Sequence, residues 1–172
     1  MDGILKLISS RQSDRASTGE TISSEKLMLI LEAGRLSPSA RNTQPWRFYA
    51  TMKRELLEDI SNSFEKLGRN LFVKDAAAVI AITEEPLPES ISMHRRYAEY
   101  DIGMAIMQIC LEAESLGVGS CILGTYNEFD IKNILEIPED RKVAMVICLG
   151  VSAEPSVRPK KRKDFNEAVV IR

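Results

Sequence analysis

The chain has 172 residues, of which 44% are hydrophobic and 28% charged, and its formal net charge is −2. This composition is typical of one globular domain with a sizeable core, and the slight negative charge argues against a general nucleic-acid-binding protein. The sequence lacks an apolar run near the ~20 residues that a membrane span needs, and it lacks the pattern of a signal peptide, so we expect a cytoplasmic protein without a membrane partner.

The first half of the chain predicts three helices and two strands. Ser23 or Ser24 is suited to cap the second helix, which ends near Ser37 because Pro38 disfavours a helical conformation before it. The uncharged run AAAVIAIT is typical of a strand that is buried on both faces. The predicted elements are a helix at 4–10, a helix from 23 or 24 to about 37, a strand at 47–51, a helix at 53–67 and a strand at 76–83.

The second half begins with a polar loop that contains proline, at 84–93. The helix predicted after it is apolar nearly all round, which is typical of the centre of a protein or of an interface. Gly117 is well placed to end this helix in the left-handed conformation. The predicted elements are a helix at 94–116, a strand at 120–123, a turn at 124–126, a helix at 127–135 capped by Asn127, a strand at 142–151 and a terminal strand at 168–171. This alternation predicts a single α/β or α+β layered domain over 1–172, with 156–172 as a C-terminal tail.

The cysteine and histidine content argues against several kinds of site. Cys110, Cys121 and Cys148 are widely spaced in apolar surroundings, so we interpret them as buried reduced thiols, with neither a disulfide framework nor a zinc site. His94 is the only histidine and is interpreted as a surface residue. Catalysis by a serine or cysteine paired with histidine is therefore not expected, and neither is a histidine-based metal site.

Residues 37–48, SPSARNTQPWRF, form the most distinctive stretch of the chain. Ser39, Asn42, Thr43 and Gln44 offer hydrogen-bonding groups that suit a flat polar heterocycle. Pro45 stiffens the end of the stretch, and Trp46 is suited to anchor it in a core. The alternative is an ordinary loop between a helix and a strand, with a buried tryptophan.

Two basic stretches lie near the ends of the chain. Arg11 and Arg15, with Ser13 between them, are suited to bind an anion, although a solvated charged segment is the commoner meaning of such a run. The tail carries a second basic run, RPKKRK, at 158–163.

No Walker A sequence is present, and GVG at 117–119 lacks the context of a Rossmann site. We interpret Asp101 as a structural partner of Arg95 or Arg96. Few conventional catalytic side chains remain, which favours chemistry carried by a bound cofactor.

Taken together, these segments resemble the FMN-dependent nitroreductase family. RQSDR at 11–15 is similar to the family's R-x-S-x-R, and PSARNTQPW at 38–46 resembles its P-S-x-x-N-x-Q-P-W block. Four further segments follow in the family's order, before the basic tail: DIG at 101–103, LGVGS at 116–120, LG at 123–124 and LG at 149–150. The resemblance implies a nitroreductase-like fold: an α+β arrangement with a central mixed, mainly antiparallel sheet flanked by helices, in a homodimer.

The resemblance also implies roles for individual residues. Arg11, Gln12, Ser13 and Arg15 would bind the FMN phosphate and ribityl chain. Arg162, with Lys160 or Lys161, would close on the same phosphate, so that the tail 156–172 closes on the cofactor or on the partner subunit. The flavin ring would be lined by Pro38, Ser39, Asn42 and Gln44, typically from the partner subunit, and by backbone groups of Leu123 and Gly124.

The implied function is electron transfer from NADH or NADPH through FMN to a nitroaromatic, a quinone or a similar flat acceptor, by a ping-pong mechanism without a dedicated catalytic side chain. Two alternatives stay open: a flavin-binding or regulatory module without nicotinamide turnover, and a flavoenzyme of the same fold that dehalogenates, dehydrogenates or fragments flavin. Three departures from the family pattern put the substrate in doubt: the short loop at 84–93, Leu123 where Glu or Gly is common, and Ala16-Ser17-Thr18 in place of a basic-aromatic pair.

Overall fold

The structure, a computed structural model, describes residues 3–87 and 95–172. His94 and residues 88–93 of the predicted loop lie outside the described residues, as do the side chains of Arg95 and Arg96. The strands of the described chain are β1 (Trp46–Thr51), β2 (Ala78–Glu84), β3 (Gly119–Leu123) and β4 (Lys142–Gly150). Its α-helices are α1 (Ile4–Ser10), α2 (Ser24–Arg35), α3 (Arg54–Lys66), α4 (Arg95–Ser115), α5 (Glu128–Ile134) and α6 (Phe165–Ala168).

The four strands form one sheet in the order β1-β2-β4-β3, and all neighbouring strands are antiparallel. β2 lies inside the sheet because it has no charged residue before Glu84, and its residues from Ala78 to Thr83 are buried. Such a strand is stable only where both faces are covered. The expected α+β fold, with a mainly antiparallel sheet flanked by helices, is confirmed.

One face of the sheet packs against α4 and α2. Ile102, Ala105 and Ile109 of α4 are buried in this half of the core. At Gly34 of α2 the two helices approach so closely that an added Cβ would lie 2.7 Å from Ile109 Cγ1 and 3.1 Å from Phe48 Cζ. Glycine at position 34 therefore permits the packing of α2 on α4.

The other face of the sheet packs against α3 and α5. Leu57, Ile60 and Phe64 of α3 are buried here. α5 begins after Asn127, whose Oδ1 accepts from the N–H groups of Phe129 and Asp130 at 3.1 and 3.4 Å, as the predicted cap requires.

The thiols lie beside or between these layers. Cys110, Cys121 and Cys148 are free and buried, which confirms the prediction of buried reduced thiols. Burial, with smaller contributions from the neighbouring Cys121 and Asp14, raises the pKa of Cys148 to about 12. A thiol with so high a pKa carries almost no thiolate at neutral pH, so Cys148 is expected to be unreactive.

Residues 13–18 cross the ends of β3 and β4 as an extended segment. Ser13 pairs with Ser120 in a parallel bridge and Ser17 with Ser152 in an antiparallel one. Gly119 and Gly150 face each other in the register of β3 and β4. An added Cβ would lie 2.5 Å from Asp14 Oδ2 at the first glycine and 2.3 Å from Ser17 Oγ at the second. The two glycines therefore allow the N-terminal segment to lie against the sheet.

The elements predicted up to residue 151 are confirmed, with ends that differ by at most two residues. The terminal strand predicted at 168–171 is wrong within the described chain: Ala168 belongs to α6, and residues 169–172 pair with none of the four strands. A strand needs a partner edge, and every residue of 161–172 is exposed on this chain. Among the described helices, none is both long and apolar enough to cross a membrane.

Candidate functional site

Arg11 follows α1 directly, and part of its guanidinium group is buried. Its Nη1 is shielded from solvent and has no hydrogen-bond partner among the described residues. The backbone N–H of Arg11 donates to the carbonyl of Leu7 at 3.1 Å, so the end of α1 fixes the residue. A buried donor without an acceptor costs free energy, and an anionic ligand would provide that acceptor.

The C-terminal tail brings further cations to the same place. Lys160 Nζ donates to the carbonyl of Ile8 at 3.1 Å and to that of Ser9, at the end of α1. Loss of hydration lowers the pKa of Lys160, and the positive charges of Arg11 and Arg162 lower it further. Arg11 and Arg162 are therefore each close enough to Lys160 to repel its charge, and a phosphate placed among the three cations would relieve that repulsion.

Ser13 and Arg15 continue this basic segment along the edge of β3. Next to Ser13, the N–H of Asp14 donates to the carbonyl of Ser120 at 2.9 Å. Burial raises the pKa of Cys121 in β3, while the positive charges of Arg15, Arg11 and Arg158 act in the opposite direction. Arg11 and Arg15 therefore both lie near β3.

Gln12, the second residue of the basic segment, uses its side-chain amide to hold the tail. Its Oε1 accepts from the N–H of Arg158 at 3.0 Å and from Arg158 Nε at 3.3 Å. Its Nε2 donates to the carbonyl of Ser156 at 3.1 Å. Sequence reasoning placed Gln12 among the cofactor-binding residues, but a contact between Gln12 and the tail has no local signal in the sequence.

The loop between α2 and β1 has an unusual backbone. Arg41, Asn42 and Gln44 adopt positive φ values of 53°, 58° and 47°, which are uncommon for residues other than glycine. Ser39 Oγ accepts from the N–H of Gln44 at 2.9 Å, and Gln44 Nε2 donates to the carbonyl of Asn42 at 3.3 Å. Pro38, Asn42 and Gln44 are exposed. The loop is therefore fixed by its own hydrogen bonds and presents side chains outward.

Two buried groups attach this loop to the domain. Trp46 is buried and stacks on Phe48 with ring centroids 6.5 Å apart, as the predicted anchor requires. Asp101 of α4 is only 3% exposed, and its Oδ2 accepts from the N–H of Ala40 at 3.1 Å. Sequence reasoning assigned Asp101 a structural pairing with arginine and missed this contact. The available signal was helical spacing, because Asp101 shares the buried face of Ala105.

The loop and the cations lie at different positions along α4. Asp101 holds the loop. At Cys110, burial raises the pKa of the thiol, and the nearby guanidinium charge of Arg11 partly opposes that rise. Cys110 lies nine positions after Asp101, which corresponds to roughly 13 Å along the helix. Within one chain, the predicted ring-lining residues and the predicted phosphate-binding residues therefore form two separate groups.

The turn after β3 is the last part of the predicted site. Leu123 is buried at the end of β3, and Gly124 is exposed. Asn70 Nδ2 donates to the carbonyl of Thr125 at 3.1 Å, so the turn is held from the side of α3. Ser13 pairs with Ser120 of β3. The strand continues for three residues from Ser120 to Leu123, so the turn begins roughly 10 Å from Ser13 along the same sheet edge.

The comparisons with known proteins point to one family. The model of the nitroreductase family matches residues 8–151 of the chain. A relative from Archaeoglobus fulgidus, provisionally named NADH dehydrogenase/NAD(P)H nitroreductase, is 35% identical over 172 residues, and the match covers 98% of this chain and 92% of the relative.

Solved structures give the same result. An FMN-dependent nitroreductase from Clostridium difficile superposes with a TM-score of 0.74 at 25% identity, covering 95% of this chain and 94% of that one. A provisionally named nitroreductase from Exiguobacterium sibiricum, determined in complex with FMN, superposes with a TM-score of 0.82 at 21% identity, covering 100% of this chain and 98% of that one. The Exiguobacterium structure shows that the two chains share a fold.

Proposed function

This chain belongs to the nitroreductase family, and we propose that it is an FMN-dependent oxidoreductase that passes electrons from NADH or NADPH to a nitroaromatic, a quinone or a similar flat acceptor by a ping-pong mechanism. The observation that carries the proposal is the group of Arg11, Lys160 and Arg162, in which one buried nitrogen of Arg11 lacks a hydrogen-bond partner within the described chain. Relatives named for NAD(P)H nitroreductase activity and a neighbouring structure that contains FMN support the same choice of cofactor.

The donor set fits the phosphate of FMN. Arg11 and Arg162 offer planar guanidinium groups, and Lys160 offers an ammonium group held by carbonyls at the end of α1. Guanidinium and ammonium groups make strong hydrogen bonds to phosphate oxygens. We assign the phosphate to these three residues, and we assign Ser13 and Arg15 to the phosphate end of the ribityl chain because they continue the same segment.

The remaining residues would hold and cover the flavin ring. Backbone groups of Leu123 and Gly124 are assigned to the ring edge, since this turn follows β3, the strand with which Ser13 pairs. Pro38, Ser39, Asn42 and Gln44 are assigned to the ring face, with a backbone already set by the bond between Ser39 and Gln44. FMN, when bound, supplies the redox chemistry, so the protein needs to bind and orient it but needs no acid or base of its own.

We further propose that the active form is a homodimer, in which the loop of one subunit lines the ring of the flavin whose phosphate is bound by the cations of the other. The loop and the cations form separate groups on one chain, and large apolar side chains of α1, α2 and α4 are exposed. Such a surface is typical of one that a partner covers. The exposed residues of these helices include Ile4, Leu5, Met28, Tyr100, Met104 and Met107.

The visible spectrum of the purified protein tests the cofactor, and an anaerobic titration tests the reaction. We expect a flavin spectrum, loss of its visible absorbance on addition of NADH or NADPH, and recovery on addition of a quinone or nitroaromatic. Double-reciprocal plots at several acceptor concentrations should give parallel lines. A protein that fails to take up added FMN would refute the proposal. Uptake of FMN without reduction by either nucleotide would favour a flavin-binding module.

A further inference from the structure

Gln12 and Arg158 connect the C-terminal tail to the basic segment by several polar contacts. Gln12 Oε1 accepts twice from Arg158, and Gln12 Nε2 donates to the carbonyl of Ser156. Arg158 Nη2 in turn donates to the carbonyl of Ser13. These contacts join residues more than 140 positions apart in the sequence.

The tail beyond Arg158 has little else to hold it on this chain. Residues 161–172 are exposed, and Lys160 is the residue of 158–172 that is partly buried. Ordering one residue costs conformational entropy that a single typical hydrogen bond at most offsets. The position of the tail therefore depends on the combined contacts of Gln12, Arg158 and Lys160.

The same contacts act against electrostatic repulsion. Arg11, Arg158, Lys160 and Arg162 bring four positive charges to one region, and those of Arg11 and Arg162 disfavour the charged form of Lys160. Without an anion, this repulsion opposes the placement of the tail. With an anion, it becomes attraction, so phosphate binding and tail placement must favour each other by the same factor.

We propose that Gln12 and Arg158 form a clasp that positions Lys160 and Arg162 on the phosphate of FMN, so that Gln12 acts through the tail. This inference rests on the proposed function. It separates Gln12 from its neighbours in the basic segment: Arg11 binds the anion directly, whereas Gln12 is a positioning residue because its amide is occupied by Ser156 and Arg158.

Binding of FMN and of riboflavin to the apoprotein, followed by flavin fluorescence, tests the clasp. Riboflavin lacks the phosphate, so it does not use the tail cations. Gln12→Ala should weaken FMN binding roughly tenfold or more, the scale of one lost charge-assisted hydrogen bond, and should leave riboflavin binding unchanged. Arg158→Ala should also weaken the binding of FMN. The matched control is Lys161→Ala, which removes one positive charge from an exposed neighbour of Lys160 and should weaken FMN binding much less.

Limited digestion with trypsin gives a readout that needs no flavin signal. The tail offers cleavage sites at residues 160–163. We expect FMN to slow cleavage there in the wild type, and Gln12→Ala to speed cleavage and to reduce this protection. Mass spectrometry of the products identifies the site of cleavage.

The outcomes separate the clasp from the proposed function. If the wild type binds neither FMN nor riboflavin, the proposed function fails. If the wild type binds FMN and Gln12→Ala binds it equally well with unchanged tail cleavage, the clasp is refuted and the cofactor assignment stands. Equal losses of FMN and riboflavin in Gln12→Ala would also refute the clasp, because they indicate a general defect of the site.

Discussion

Arg11 and Lys160 come from opposite ends of the chain, and the contacts that hold them are to backbone groups. Arg11 is fixed through its own N–H, and Lys160 through the carbonyls of Ile8 and Ser9. Neither residue takes part in the ion pairs of the described part of the chain. The carboxylate of Glu114 is near enough to act on the pKa of Lys160 but forms no ion pair with it. Both cations are therefore left for an external anion, which is why we assign the phosphate to them.

Replacing Arg11 with alanine tests the assignment of the FMN phosphate to this residue. Arg11→Ala should weaken FMN binding by about 1.5–3 kcal/mol, the range of a hydrogen bond to a charged group. Arg54→Ala is a suitable control, because Arg54 is an exposed residue of α3 whose Nε pairs with Glu58 at 3.0 Å. Isothermal titration of the apoproteins measures both. An FMN affinity unchanged by Arg11→Ala would remove Arg11 from the site.

Lys160 predicts a dependence of cofactor binding on pH. Its pKa in the free protein lies below that of an ordinary lysine, and a bound phosphate would raise it. FMN affinity should therefore be full while Lys160 is protonated in the free protein and should fall as the pH rises above its lowered pKa. Titrations from about pH 7 to about pH 9.5 measure the fall.

The matched variant for this prediction is Lys160→Arg, since a guanidinium group stays charged over the whole range. The variant should lose most of the alkaline decrease. A decrease of the same size in both proteins would assign the pH dependence to another group.

At the scale of elements, close packing depends on glycines whose role is set by distant partners. Gly34 allows α2 to approach α4, and Gly119 and Gly150 allow residues 13–18 to lie against the sheet. In each case the atom that fills the space of the missing Cβ belongs to a residue far away in the sequence, such as Ile109 for Gly34.

Gly34→Ala should destabilise the fold. Alanine gains about 1 kcal/mol in helix propensity, but its Cβ would lie 2.7 and 2.8 Å from two atoms of the fully buried Ile109, and overpacking typically costs about 1–3 kcal/mol. We expect a net loss in the free energy of unfolding, measured by urea denaturation. Gly103→Ala is the control, because an added Cβ there meets no atom of the chain within 4 Å. A Gly34→Ala protein as stable as Gly103→Ala would contradict the packing argument.

Local patterns account for most of the elements. Helical spacing located α2, α3 and α4, and the absence of charge located β2, because these signals lie within a few neighbouring residues. The two contacts that sequence reasoning missed, from Gln12 to Arg158 and from Asp101 to Ala40, join distant segments through only one or two hydrogen bonds and leave no period in the sequence. The basic segment and the tail were paired only through resemblance to the family.

At the scale of the whole molecule, the exposed apolar surface of α1, α2 and α4 is the largest feature that one chain leaves unexplained. α4 is apolar on more than one side: Ile109 is buried in the core, whereas Met104 and Met107 are 42% and 40% exposed. In the proposed homodimer, a second copy covers this surface, and its loop at 38–44 lines the flavin that the cations of the first copy bind. We therefore expect assembly and cofactor binding to be lost together.

Met107→Glu tests this coupling. A charge in an apolar interface is costly, so the variant should sediment as a monomer at micromolar concentration and should retain little FMN. Asn62→Glu is the control, since it adds the same charge to an exposed position of α3 on the opposite face of the sheet. A wild-type protein that sediments as a monomer with FMN bound would refute the homodimer and require the loop to reach the flavin of its own chain.

The contact between Lys160 and Ser9 also has a consequence for the synthesis of the protein. The two residues lie 151 positions apart, so the carbonyl leaves the ribosome first and the lysine follows after almost the whole chain has been made. At about 5–20 residues per second this delay is roughly 8–30 s. The phosphate-binding group is thus incomplete in every shorter nascent chain. Full cofactor affinity is therefore expected only in chains whose tail has been translated.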